Sequence, residues 1–349
     1  MRKFNVSVIG CGAIAEQAHI PAALRIPEVA LFAVADTNIE RARCISEKLS
    51  IPYYCEDYHD LLGKTDAAII TCPNSLHVSI ASTLLRSGVH VLCEKPMATS
   101  VKECQIMAEA SLEGKARLMI AHNKRYLPNV RLAKKLLSQG LFGPIQYFEG
   151  SSGDPFTWAT KTNFYRSKAI AGGGALMDVG VHLIDLILWF AESSVQKVKA
   201  SYEVDIDKEV EEDALLTMWL TSGAEARIEV SRKRRLQNFL TIKGQRGWIR
   251  IYLKHPFQLD LYSSAGKVFK KGQILTLWTK ACDPFVEQLG AFVKALSDEE
   301  PIPITPEDGI RTISVIEEAY AGACTIEAEH IADLGERAPM RATTPSMAD

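Results

Sequence analysis

Phe4-Asn5-Val6-Ser7-Val8-Ile9-Gly10-Cys11-Gly12-Ala13-Ile14-Ala15 is the stretch on which the reading of this 349-residue chain turns. A run of strand character ends directly on a glycine pair and passes into residues suited to a helix. In that context Gly10 permits a tight turn, Gly12 lets a phosphate approach the backbone, and Ala15 keeps helix and strand close. Pro21 predicts that this first helix kinks or restarts. The next strand-like run, Val29 to Ala35, ends at Asp36, 21 residues beyond Ala15, where an acid accepts hydrogen bonds from a ribose and repels a 2′-phosphate. The expected cofactor is therefore NAD(H), with NADP(H) as the alternative should Arg41 or Arg43 meet that phosphate. Both arginines are read first as part of a solvated helix face.

Working outward, the runs Ala67 to Cys72, Val89 to Cys93 and Arg117 to Ala121 alternate with helical stretches. Such alternation predicts an α/β domain over residues 1–122, a doubly wound parallel sheet with ligands at the carboxyl ends of its strands. Beyond it, Tyr126 to Gln139 reads as a helix, and a long helix is expected near Gly174 to Phe190. Between Val195 and Phe269 several alternating strands follow; Ala214 to Leu220 and Ala226 to Val230, joined by Thr221-Ser222-Gly223, predict an antiparallel meander. Thr305-Pro306-Glu307-Asp308 predicts a helix start, with a cap, a proline in the first turn and acids beside it. The segment 123–334 is thus an expected α+β domain, and 335–349 an expected loosely ordered tail.

Composition narrows the partners. With 40 basic and 42 acidic residues the net charge is −2, which gives no steering toward nucleic acid or an anionic membrane. Neither a signal peptide nor an apolar run of about 18 residues is read in the chain, so a cytoplasmic protein is expected. The eight cysteines lie apart, without metal-ligand spacing, and read as reduced thiols with no metal site.

Chemistry concentrates in two places. Between Ala175 and Ala191 the only ionisable residues are Asp178, His182 and Asp185, spaced to form one stripe of a helix, behind a flexible glycine entry, Gly172-Gly173-Gly174. Asp185 is read as support for His182, one turn away. The run Val89 to Cys93 delivers Glu94 and Lys95 to the ligand edge of the sheet, where Pro96 ends the strand. Arg232-Lys233-Arg234-Arg235 reads as a solvated strand edge.

Taken with Cys72-Pro73-Asn74-Ser75-Leu76-His77 and Gly180-Val181 within the glycine-led helix, these motifs resemble the Gfo/Idh/MocA family of glucose-fructose oxidoreductase, inositol dehydrogenase and rhizopine-catabolism proteins. The resemblance covers nearly the whole chain. It implies a Rossmann domain followed by an open, largely antiparallel sheet that builds homodimers or homotetramers. It also implies that a lysine, an aspartate and a histidine act together, here Lys95, Asp178 and His182. The implied cofactor residues are Gly10, Gly12, Ala13, Ile14, Asp36, Cys72, Pro73, Asn74, His77, Glu94 and Lys95, with Cys72 standing where threonine is common.

A hydride leaves a carbinol carbon only as its hydroxyl proton is removed, so the site needs a base and a cation beside the oxygen. His182 is the expected base, Lys95 the cation, and Asp178 the group that orients both and meets a neighbouring hydroxyl. Asn123, Arg125, Tyr126, Trp158, Tyr165 and Arg166 are expected to add substrate contacts suited to a sugar, cyclitol or nucleotide sugar. Two other classes share the resemblance: a redox-neutral NAD-dependent glycosidase and a non-catalytic cofactor-binding regulator.

Overall fold

The computed structural model describes residues 3–155, 162–204, 208–264, 273–298, 300–322 and 324–325. Its first half runs β1 (Phe4–Ile9), α1 (Ile20–Ala23), β2 (Val29–Ala35), α2 (Ile39–Leu49), β3 (Tyr53–Cys55), β4 (Ala67–Ile70), α3 (His77–Arg86), β5 (His90–Glu94), α4 (Val101–Glu113) and β6 (Leu118–Ala121). The six strands form one parallel sheet in the order β3-β2-β1-β4-β5-β6. Helices cover both faces, so β4 is wholly inaccessible, and the near-continuous apolar character of these strands follows. Strand order reverses between β1 and β4, the position where such sheets open a crevice for ligands.

Gly10 closes that junction. Its φ is +93°, and a Cβ there would lie 2.8 Å from the Cys72 nitrogen, so only glycine lets the ends of β1 and β4 meet. The first helix continues through a widened, π-helical turn at Ala15–His19 before α1 resumes with Pro21 in its first turn. Proline has no N–H to return to the preceding turn, and the wider turn accommodates it. The edge strand β3 has only three residues, too few to show a period, and the sequence reading passes over it.

The second half contains α5 (Pro128–Ser138), β7 (Ile145–Gly153), α6 (Lys168–Ala171), α7 (Val181–Ala191), β8 (Val195–Glu203), β9 (Asp213–Leu220), β10 (Glu225–Ser231), β11 (Phe239–Gly244), β12 (Gly247–Tyr252), β13 (Gln258–Ser263), β14 (Leu275–Trp278), α8 (Pro284–Asp298), α9 (Pro306–Gly322) and β15 (Cys324–Thr325). Its nine strands are ordered β14-β13-β12-β11-β7-β10-β9-β8-β15 and pair antiparallel except at β7/β10 and β8/β15. The expected hairpin of β9 and β10 is present, with Trp219 opposite Glu225.

The strand β7, at the centre, escapes sequence reading because its second half is Gly150-Ser151-Ser152-Gly153, residues of low strand preference. Gly150 has a packing reason: a Cβ there would meet Ile228 at 3.0 Å and Leu183 at 3.3 Å, where α7 lies against the sheet. Residues Lys168–Ala191 are apolar and long enough by composition to cross a membrane, yet most of that span is buried in the fold, as befits a core helix. The helices α8 and α9 return toward the first sheet, and Ile120 N donates to Ile304 O at 3.2 Å along its β6 edge.

Candidate active site

The carboxyl ends of β1, β2, β4 and β5 form one wall of a cavity of about 990 Å³, and the exit loops of the second sheet form the other. This volume stands at the top of the roughly 300–1,000 Å³ usual for small-molecule pockets. Gly10, Gly12, Ala13 and Ile14 line one end together with Asp36 and Arg41. Above Gly12 an added Cβ would meet nothing within 4 Å, so the cavity opens onto bare backbone where a helix begins. Orphan N–H groups at such a helix start favour an anion.

Asp36 accepts hydrogen bonds from Cys11 N and Asn38 N, each at 2.8 Å, and from the Arg41 guanidinium at 3.2 Å. Arg41 therefore belongs to the cavity wall, against the solvated-face expectation, because its side chain folds back onto this carboxylate. Arg43 pairs outward with Glu40, as expected of a solvated face. A dinucleotide fits these residues: open backbone for its pyrophosphate, and a held carboxylate for its ribose.

Cys72, Pro73, Asn74 and Glu94 line the middle of the cavity. Burial pushes the Cys72 thiol up to about 12, leaving it an uncharged wall. The amide of Asn74 donates to Ala171 O at 2.8 Å and ties the first sheet to α6. His77 does not reach the cavity; it is fully buried, with its ring nitrogens 3.0 Å from the carbonyls of Cys72 and Pro96. It braces the two loops that carry Pro73 and Lys95. Glu94 contacts His19 Nε2 at 2.6 Å and accepts Lys95 N at 2.9 Å. Burial alone would raise its pKa, but His19 and Lys95 outweigh it and hold the carboxyl low.

Lys95, Asp178 and His182 meet in the same cavity. Lys95 Nζ donates to Asp178 Oδ1 and to Asp178 O, both at 3.0 Å. Burial opposes its charge, yet Asp178, Tyr165 and Glu94 prevail and raise its pKa, so Lys95 stays a cation. Asp178 sits in a second π-helical turn, Leu176–Gly180, directly before α7. His182 is driven well below the ordinary imidazole range by burial and by Lys95 and Lys124. Its Nδ1 has no hydrogen-bond partner among the described residues.

Three expectations are corrected here. Asp185 does not support His182: it lies about 60° round the helix from it, and Arg125 grips it through Nε at 3.0 Å and Nη2 at 2.6 Å. The imidazole accordingly stands among cations. The glycines Gly172-Gly173-Gly174 are no flexible entry; added Cβ atoms at 173 and 174 would strike Tyr320 and Glu211. The basic run after β10 is a solvated edge only in part: Lys233 and Arg235 are exposed, but Lys233 and Arg234 pair with Asp213, and Arg232 and Arg235 stand at the cavity.

Of the expected substrate residues, Asn123 and Tyr165 line the cavity. Arg125 is buried against Asp185 and Asp308, and Tyr126 is buried beneath the Arg131 guanidinium, so both point away. Arg166 is exposed outside the cavity, and Trp158 lies outside the described residues. Sequence reading does not single out Glu211. This buried carboxylate accepts from Gly174 N, Leu176 N and the Tyr320 hydroxyl at 3.0, 2.9 and 2.8 Å, and so caps the segment that carries Asp178. Its signal, one acid in the run Glu211-Glu212-Asp213 leading into a strand, is indistinguishable from that of its neighbours.

The model for oxidoreductases with an NAD-binding Rossmann fold matches residues 4–122, and the GFO/IDH/MocA C-terminal domain matches residues 130–250. The chain belongs to the GFO/IDH/MocA oxidoreductase family. It is similar to the dTDP-3,4-didehydro-2,6-dideoxy-alpha-D-glucose 3-reductase of Actinomadura kijaniata, 30% identical over 91% of this chain and 95% of that one. It also resembles the myo-inositol 2-dehydrogenase of Thermotoga maritima, 23% identical over 95% of this chain and 99% of the other. Among solved structures, a levoglucosan dehydrogenase in complex with NADH and levoglucosan superposes with a TM-score of 0.84 at 23% identity, over 92% of this chain and 98% of its own. That GFO/IDH/MocA likeness speaks for the two-sheet fold.

Proposed function

We propose that this oxidoreductase moves a hydride between nicotinamide and a secondary hydroxyl or ketone of a sugar, cyclitol or nucleotide sugar. The observation that carries the reading is the Lys95–Asp178 contact, in one cavity with His182 and continuous with the Gly10–Ile14 cradle. On this reading residues 1–122 hold the dinucleotide and 123–334 the substrate, in a cytoplasmic homo-oligomer. NAD(H) is the preferred cofactor because Asp36 faces the ribose end.

Bound nicotinamide supplies the hydride acceptor or donor. The chain's own groups handle the oxygen and its proton. The Lys95 ammonium, fixed by Asp178, lies where negative charge develops on the oxygen during oxidation. His182, neutral in the cavity wall, takes the hydroxyl proton. In reduction the same groups give the proton back and polarise the carbonyl. Asp178 keeps the second carboxylate oxygen for a neighbouring hydroxyl.

The test is a screen of inositols, free sugars and nucleotide sugars, with their keto forms, read by nicotinamide absorbance. Redox turnover of at least one class is expected. Sugar release without net absorbance change would reassign the site to redox-neutral glycosidic cleavage, and binding without either would reassign it to regulation.

A further inference from the structure

The strands β7, β10 and β12 run in the same direction, so the residues that follow them emerge at one edge of the second sheet. That edge faces the cavity, and Asp154, Arg232, Arg235 and Lys254 stand on it. Lys124 joins them from the turn after β6. With Lys95, the substrate half of the cavity carries five cations against the carboxylates of Asp154, Asp178 and Glu94. Two of those carboxylates are committed, Glu94 to His19 and Asp178 to Lys95. The third, Asp154, is shared by Lys254 and Arg235, the latter at 3.7 Å.

We infer that the substrate of this site carries a phosphate or carboxylate group, and that Lys124, Lys254 and Arg235 bind it while Lys95 and His182 act on a neighbouring carbinol. The inference rests on the dehydrogenase reading and selects, within it, anionic over neutral sugars. A bound anion meets a half-formed cage beside the reacting lysine: three cationic side chains around one carboxylate.

The groups facing Lys124 agree. Lys95, Lys254 and His182 confront it with two fixed positive charges and one neutral ring, and Asp154 and Asp178 answer only in part. Burial and the two lysines push Lys124 down to about 8. An anion seated there stabilises the Lys124 charge and offsets the positive field that lowers His182, so substrate binding readies the base it needs.

Calorimetric titration of the NAD⁺-loaded protein with glucose, glucose 6-phosphate, glucuronate and a uridine diphosphate sugar tests this. At least one anionic probe is expected to bind roughly tenfold or more tighter than glucose, and the order among the three identifies phosphate, carboxylate or diphosphate as the source. In Lys124→Met and Lys254→Met the ratio of anionic to neutral affinity is expected to collapse. The wild-type ratio is expected to fall as pH rises through about 8, where Lys124 loses its proton. Equal affinities for glucose and all three anions, or a preference indifferent to both variants, would overturn the inference. Failure of every bound probe to exchange hydride would count against the dehydrogenase reading and leave the binding comparison decisive for this one.

Discussion

At the residue scale, the site depends on what each ionisable group meets. Asp36 is held by two backbone amides and Arg41. NAD⁺ is expected to give the higher kcat/KM, and Asp36→Ser to shift the preference toward NADP⁺ because Arg41 remains beside the freed space. Steady-state kinetics with both cofactors and one substrate check it; an unchanged preference in the variant would remove Asp36 from the ribose. His182 is depressed by burial and by two lysines, and oxidation requires its neutral form. As its pKa lies below the ordinary 6.5, the acid limb of kcat/KM should fall at pH below that value, with a flat profile from there to about pH 8, where Lys124 loses the proton that helps it hold an anionic substrate. An acid limb at or above pH 6.5 would contradict the assignment. These residues were legible in sequence by type and spacing, whereas their partners were not. Neither the His19–Glu94 contact nor the Arg125–Asp185 pair has a local signature, since each joins positions far apart in the chain.

At the element scale, α7 is positioned from both ends. Glu211 caps the segment before it, and the pair of Arg125 with Asp185 and Asp308 ties it to the turn after β6 and to α9. Arg125→Met leaves the buried Asp185 carboxylate without its guanidinium, while Asp308 keeps Arg311, a loss of about 3–5 kcal/mol for breaking a buried pair. The expected outcome is a clear fall in thermal midpoint with KM little changed in the folded fraction. A variant of normal stability with raised KM would return Arg125 to the substrate site. The parallel strands β1, β2, β4, β5 and β6 could be read from the sequence because burial on both faces makes them continuous apolar runs. The strand β7 could not, because its glycines and serines serve the packing of α7 and the cavity mouth, and tertiary contact overrides their low strand preference.

At the scale of the whole molecule, the outward face of the second sheet carries Tyr147, Trp219, Trp248 and Tyr252, all half-buried and uncovered by α7. An open sheet face of this kind favours a second copy of the chain. Light scattering is expected to report a dimer or tetramer, and Trp219→Glu with Trp248→Glu to shift it toward monomer; a wild-type monomer would contradict the reading. On the proposed reading the two halves matter together, because the first sheet brings the glycine turn and Lys95 while the second half brings Asp178, His182 and the basic edge. The central claim is that this meeting performs proton and hydride transfer. The most direct test is the rate of nicotinamide absorbance change per folded molecule in His182→Asn, at saturating cofactor and substrate. The account predicts a stable, cofactor-binding variant slowed roughly 10² to 10⁴-fold; a variant that turns over at the wild-type rate per folded molecule would contradict it.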